Sequence, residues 1–206
     1  MKSVILAGYS GHAFVAADIL IRSGYILEGY LDRMRKPLNP FSLDWIGDET
    51  DASVMKQLSG KLFFAAIGDN TIRRSVTTRL LQYGILPANA IDPSAVISSS
   101  VKWKGNGIMV GSNSVINALL ECGEGVIFNT SCIIEHECKV DNFAHIGPGA
   151  VLCGNVSVGQ NTFIGAGAVI KEGVHIGNDV IVGAGAVIIR NIEDNQKVAG
   201  NPGRIL

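Results

Sequence analysis

An apolar residue recurs at every sixth position from Val110 to Ile188. The markers are Val110, Ile116, Cys122, Phe128, Ile134, Val140, Ile146, Leu152, Val158, Ile164, Ile170, Ile176, Val182 and Ile188, fourteen hexads without a slip. Glycine follows the marker in half of them (Gly111, Gly123, Gly147, Gly159, Gly165, Gly177, Gly183), and a small or aliphatic residue such as Ala144, Val156 or Ala168 fills the position four after it. A helix cannot sustain this period, and plain strand alternation leaves the glycines unexplained. A fixed repeat of six is the signature of a β-helix, in which each hexad supplies a short strand and a turn and neighbouring coils bury a continuous core. The three-sided, left-handed form takes three hexads per coil, so residues about 18 apart stack on one side and the run makes about four to five coils. Glycine after the marker suits turns that need a backbone without a Cβ. The opening stretch, with Val96, Val101, Gly105 and Gly107, is out of phase with the rest, as irregular capping coils are.

The first 86 residues follow another rule. Ser3 to Ala7 reads as a buried strand, Gly8-Tyr9-Ser10-Gly11-His12 as a glycine loop, and Ala13 to Ser23 as a helix with its apolar face at Val15, Ile19 and Leu20. A second strand, Ile26 to Leu31, ends at Asp32. A helix is expected before a third strand, Leu62 to Ile67, which runs into Gly68-Asp69-Asn70; a last helix, Thr71 to Tyr83, stops at Gly84. Alternating strands and helices imply an open parallel sheet of Rossmann-like type, whose ligands bind beyond the carboxyl ends of the strands. The glycine loop, Asp32 and the Gly68-Asp69-Asn70 turn all fall at that edge. A loop that opens a helix suits phosphate, yet the full spacing of a dinucleotide fingerprint is missing, so a ligand-free turn stays open beside a nucleotide-sugar site. Pro87 to Ser100 is the crossover, and the boundary is expected near residue 90: an α/β domain over 1–90, then an all-β left-handed parallel β-helix over 91–206.

Composition sets mild bounds. With 47% hydrophobic and 17% charged residues and a net charge of −1, the chain is globular, with no basic footprint for nucleic acid and no stretch suited to membrane insertion. The expected location is the cytoplasm. Cys122, Cys132, Cys138 and Cys153 match no zinc spacing, and Cys132 and Cys138 occupy inward slots of the hexad, so they read as small core hydrophobes. His136 sits two after a marker, on the turn side, next to Glu137; a carboxylate can orient an imidazole and tune it as a general base, although an exposed histidine beside a solvated glutamate would look the same. His145 and His175 are five hexads apart and fall on different sides of the coil. No close histidine pair with a third upstream is present, so no metal site is expected.

Together these segments identify a family resemblance. Gly8-Tyr9-Ser10-Gly11-His12, Tyr30-Leu31-Asp32, Phe64-Ala65-Ala66-Ile67-Gly68-Asp69-Asn70 with Ile72-Arg73, Asn129-Thr130-Ser131, Ile134-Glu135-His136-Glu137-Cys138 and the closing Val198-Ala199-Gly200-Asn201-Pro202-Gly203-Arg204 make the whole chain resemble the bacterial sugar acetyltransferases of the sialic-acid acetyltransferase type. It is most similar to those that N-acetylate a UDP-4-amino sugar in bacillosamine synthesis. The resemblance implies that His136 is the general base and Glu137 its orienting partner. It implies that His145 contacts acetyl-CoA, with Gly154, Ala166, Gly183 and Ala184 lining the cofactor path. Ser10, Gly11, His12, Asp32, Arg33, Gly68, Asp69 and Asn70 would hold the nucleotide of the acceptor. It also implies a homotrimer with acetyl-CoA between adjacent helices. Arg33 stands where some relatives carry a second acid and Gly203 where alanine is commoner. An O-acetyltransferase acting on a sialic-acid-like hydroxyl would use the same base, and a non-catalytic nucleotide-sugar binder would keep the loop without needing His136.

Overall fold

The computed structural model describes residues 2–206, which divide into two compact units, one ending at Pro93 and the other spanning Ser94–Leu206. The first is a five-stranded parallel sheet. Its strands are β1 (Ser3–Ala7), β2 (Ile26–Leu31), β3 (Trp45–Gly47), β4 (Leu62–Ala65) and β5 (Leu86–Pro87), in the order β3-β2-β1-β4-β5. Helices α1 (Gly11–Arg22), α2 (Ala52–Gln57) and α3 (Asn70–Gln82) lie between them in the chain. Successive strand residues face opposite sides of the sheet. Ile5, Ala7, Phe63 and Ala65 therefore join Met55, Val76 and Leu80 in one apolar cluster, while Val4, Leu6, Tyr30 and Phe64, equally buried, face the other way. A strand buried on both faces reads as a continuous apolar run, as Val4-Ile5-Leu6-Ala7 does.

Two expectations for this unit change. The buried stripe of α1 is Ala13, Ala16, Ala17, Ile19 and Leu20, and Val15 is exposed, because alanines let the helix sit close to the sheet and rotate Val15 outward. Strand β3 is not signalled by the sequence: three residues show no period, and as an edge strand it pairs with β2 alone, Tyr30 opposite Trp45.

The second unit is the left-handed parallel β-helix. Each hexad contributes a two-residue strand ending at the marker, and strands one coil apart pair in register, as in Ile116 with Ile134, Ile134 with Leu152, Leu152 with Ile170 and Ile170 with Ile188. Markers and the residues two before them fill the interior. The residue just before each marker faces outward and gives each side its own character. One side carries Val96, Val115, Ile133, Val151, Val169 and Val187; the next carries Lys102, Glu121, Lys139, Ser157 and His175. The third carries Met109, Ile127, His145, Phe163, Ile181 and Lys197 and closes with the antiparallel strand Arg204–Ile205.

The glycines have a different reason from the expected one. Left-handed backbone falls three after the marker, at Asn113, Leu119, Gly125, Ser131, Glu137, Phe143, Gly149, Asn155, Asn161, Gly167, Gly173, Asp179 and Gly185. The glycines directly after the marker are required by packing between coils: a Cβ on Gly165 would lie 2.5 Å from the Ala184 nitrogen. The opening coil is also regular. Ile97 pairs with Ile116 and Trp103 with Cys122, so the lost phase is one extra residue before Val110, in the turn that holds Gly105 and Gly107.

Candidate active site

His136 and Glu137 occupy the corner between the aliphatic side and the charged side of the coil. Both side chains are about half exposed, and His136 Nδ1 lies 3.1 Å from Glu137 Oε2. With the carboxylate accepting from Nδ1–H, Nε2 is left with its lone pair outward. Glu137 holds a left-handed φ of 60° at the corner, a conformation uncommon for such a residue. One coil below, Gly154 lies directly under the imidazole: a Cβ there would sit 2.6 Å from His136 Cε1 and 2.7 Å from Nε2. The glycine thus makes the floor on which the ring rests, and Ala118 at the same corner one coil above leaves the other side open. The backbone is pinned at this point, with Asn155 N–H donating to the His136 carbonyl at 2.8 Å and Glu137 N–H to that of Ala118 at 2.9 Å.

The other residues assigned to the cofactor path fall elsewhere. Ala166, Gly183 and Ala184 lie at a different corner, at the far edge of the aliphatic side. His145 is buried on the outward face of the third side, where Asn129 Nδ2 lies 3.1 Å from its Nε2 and the Phe163 ring meets it edge-on at 5.0 Å. One chain therefore brings Gly154 to His136 but separates both from His145, Ala166, Gly183 and Ala184. Three of the cysteines are no rival nucleophiles: burial pushes the Cys132 and Cys138 thiols up to about 11, and that of Cys122 further. Cys153 is half-buried. Among the described residues no three His, Cys, Asp or Glu side chains converge on a metal position.

In the first unit a cavity of about 440 Å³ opens beyond the carboxyl ends of β1, β2 and β4, lined by Gly8, Tyr9, Ser10, Asp32, Arg33, Lys36, Glu49, Ala66, Ile67, Gly68, Asp69, Ile72 and Val76. Open parallel sheets place their ligand crevice at this edge. Ser10 precedes α1 with extended backbone and makes no side-chain cap bond, so its hydroxyl is uncommitted at a helix N-terminus. Asp32 accepts from the Tyr9 N–H at 3.1 Å and pairs with Lys36 Nζ at 2.9 Å. Asp69 caps α3 through Ile72 N–H at 2.8 Å. Gly11, His12 and Asn70 do not line the cavity. Asn70 is buried and accepts from Arg73 Nη2 at 2.9 Å. His12 lies against Gly68, and burial, reinforced by Arg73, holds its imidazole down at about 4. Arg73, 1% exposed, also donates to the carbonyls of Ile67 and Gly68 and thereby shapes the turn from behind. Sequence reasoning assigned no role to Lys36, Glu49, Ile72 or Val76; of these only Ile72 lies in a segment that carries the resemblance, and the strand order brings them together here.

Comparison with known proteins identifies both units. Residues 3–80 match the PglD N-terminal domain, and residues 155–190 match the bacterial transferase hexapeptide (six repeats). Perosamine N-acetyltransferase from Caulobacter crescentus, solved as a histidine variant with CoA and GDP-perosamine, is 34% identical, with 100% of this chain and 97% of that one covered and a TM-score of 0.93. The acetyltransferase domain of PglB from Neisseria gonorrhoeae FA1090, solved with acetyl coenzyme A, is 33% identical, covers 100% and 99%, and has a TM-score of 0.92. GDP-perosamine N-acetyltransferase from Escherichia coli O157:H7 is 31% identical over 103 residues, 50% of this chain and 46% of that protein, so the alignment spans about half of that curated relative. A sheet domain joined to a hexapeptide coil defines an acyltransferase of the left-handed β-helix class. The chain belongs to its sugar N-acetyltransferases, enzymes that take their acetyl group from acetyl-CoA.

Proposed function

We propose that this chain transfers the acetyl group of acetyl-CoA to the amine of a nucleotide-linked 4-amino sugar, with His136 as general base. The observation that carries the reading is the His136–Glu137 pair standing exposed on a glycine floor. An ammonium group cannot attack a thioester. The acceptor gives up its ammonium proton to solvent; as the neutral amine adds to the thioester carbonyl, His136 Nε2 takes the proton from the attacking nitrogen, and collapse expels the CoA thiolate, which recovers that proton from the imidazolium. Glu137 stabilises that imidazolium. A positioned base contributes about 10²–10⁴-fold, and holding amine and thioester in contact adds a proximity term. We read the transfer as direct, since Cys122, Cys132 and Cys138 are enclosed in the coil, away from the exposed imidazole.

The cofactor path supports a homotrimer. Gly154 and His136 lie at one edge of the aliphatic side, Ala166, Gly183 and Ala184 at the other, and both sets can flank one acetyl-CoA only if two copies meet edge to edge. Val96 and Ile133, 65% and 36% exposed on that side, are apolar surface suited to burial in such a contact. A cyclic trimer then makes three equivalent sites, each with its base from one subunit and His145 from the next. Among the described residues no helix is long and apolar enough to cross a membrane. Acetyl-CoA and nucleotide sugars are multiply charged and do not cross a bilayer unaided, which supports a cytoplasmic reaction.

In the sheet domain, Ser10, Gly11, His12, Asp32, Arg33, Gly68, Asp69 and Asn70 hold or back the acceptor's nucleotide. The sequence resemblance favours UDP. A second reading, GDP, is favoured by the relatives that bind or act on GDP-perosamine. The test is CoA release with matched UDP- and GDP-linked 4-amino sugars and with their 4-hydroxy counterparts. Turnover of amines alone is expected; turnover of the hydroxy sugars in their place would make the enzyme an O-acetyltransferase, and none with any sugar would leave a binding protein.

A further inference from the structure

We infer that Glu49 reads the nucleobase of the acceptor and that this base is guanine. The inference rests on the reading of the sheet-edge cavity as the nucleotide site.

Three carboxylates face that cavity, and two are already committed. Asp32 is paired with Lys36 and the Tyr9 N–H, and Asp69 caps α3. Glu49, which follows β3, is different. Its side chain is only 13% exposed, its one ionic partner among the described residues is Arg79 Nη1 at 3.8 Å, and no hydrogen bond reaches it. A charge-assisted bond would be about 2.7–2.9 Å, so Arg79 offsets the charge without filling the lone pairs. A carboxylate drawn out of water in this way is costly until donors meet it, and it can only accept.

The bases differ in what they offer an acceptor-only group. Guanine presents N1–H and N2–H side by side, a spacing that the two oxygens of a carboxylate match. Uracil presents one N–H flanked by two carbonyls that a carboxylate repels. Adenine and cytosine present one amino group beside a ring acceptor. Only guanine satisfies both oxygens. Ile67, Ile72 and Val76 supply an apolar wall for a ring face, and Arg33 and Lys36 supply positive charge for phosphates in the same cavity. Ile72 lines it while 54% exposed, as expected of a group that a ligand would cover.

Calorimetry on the full chain with GDP, IDP and UDP tests this. IDP keeps N1–H and lacks the N2 amino group. The wild-type protein is expected to bind GDP about 10-fold more tightly than IDP and about 10- to 100-fold more tightly than UDP. E49Q, which keeps the volume and turns a donor toward the base, should remove most of the GDP preference while changing UDP affinity less than about threefold. The wild-type series decides even if the variant folds poorly. Equal or tighter binding of UDP, or an E49Q that weakens GDP and UDP alike, overturns the guanine assignment and leaves the acceptor-pocket reading standing. Binding of neither nucleotide overturns both.

Discussion

Along one corner of the coils Ala118, His136, Gly154, Glu172 and Arg190 occupy equivalent positions, whereas in the sheet domain Tyr9, Asp32, Glu49 and Ile72 reach one cavity from four unrelated places in the chain. In the solenoid the interior slots are fixed by the repeat and the corner slots are not, so a catalytic side chain can be set at a corner without disturbing the core. In the sheet domain several groups at or behind the cavity also hold the fold. Asp69 caps a helix, Asp32 ties the first loop to the second strand, and Arg73 is buried behind the turn it shapes. Function and stability are therefore separable in one half and entangled in the other.

The largest effect expected from this contrast is on turnover. His136→Ala should lower kcat by about 10²–10⁴-fold and leave the melting temperature almost unchanged, because the ring is about half exposed and its pairing is with the equally exposed Glu137. A kcat within about threefold of wild type in steady-state assays removes the base role. Arg73→Met is the opposite case. It removes the three bonds that Arg73 donates to the Ile67 and Gly68 carbonyls and to Asn70 Oδ1, and should cost the sheet domain about 3 kcal/mol in urea unfolding. If acceptor binding fell while stability held, the entanglement would be mistaken.

A smaller effect concerns acid. The folded His12 imidazole titrates near 4, below its ordinary value of 6.5, through burial and then Arg73. Between those values the unfolded chain binds the proton and the folded one does not, so stability is lost as pH falls from about 6.5 toward 4, at up to about 1.4 kcal/mol per unit. Above that window His12 contributes no slope. His12→Asn should flatten this part of the stability curve; an unchanged slope in denaturant melts would assign the acid loss to other groups. The smallest effect is expected at Asp32→Ala, which should raise the acceptor KM about tenfold with the acetyl-CoA KM unchanged. A shift in the cofactor KM would show that the two halves do not divide the substrates as proposed.

The hexad was enough to determine the β-helix, because one period sets strand, turn and inward slot alike, and the inward positions of Cys132 and Cys138 follow from counting. The strand–loop–helix order likewise determined an open parallel sheet and the edge at which Asp32 and Gly68 appear. His136 and Glu137 were legible because a turn-side slot points outward whatever its neighbours are. Only the tertiary structure decided the rest. Gly154 gains its meaning from lying one coil below His136, and the separation of His145, Ala166 and Gly183 from that corner becomes evident only when the sides of the coil are laid out. Lys36 and Glu49 carry no local signal, and β3 is too short to have a period. Local sequence fixes what repeats and which way a slot points; which distant side chains share a cavity depends on the strand order, a long-range choice that no short pattern encodes.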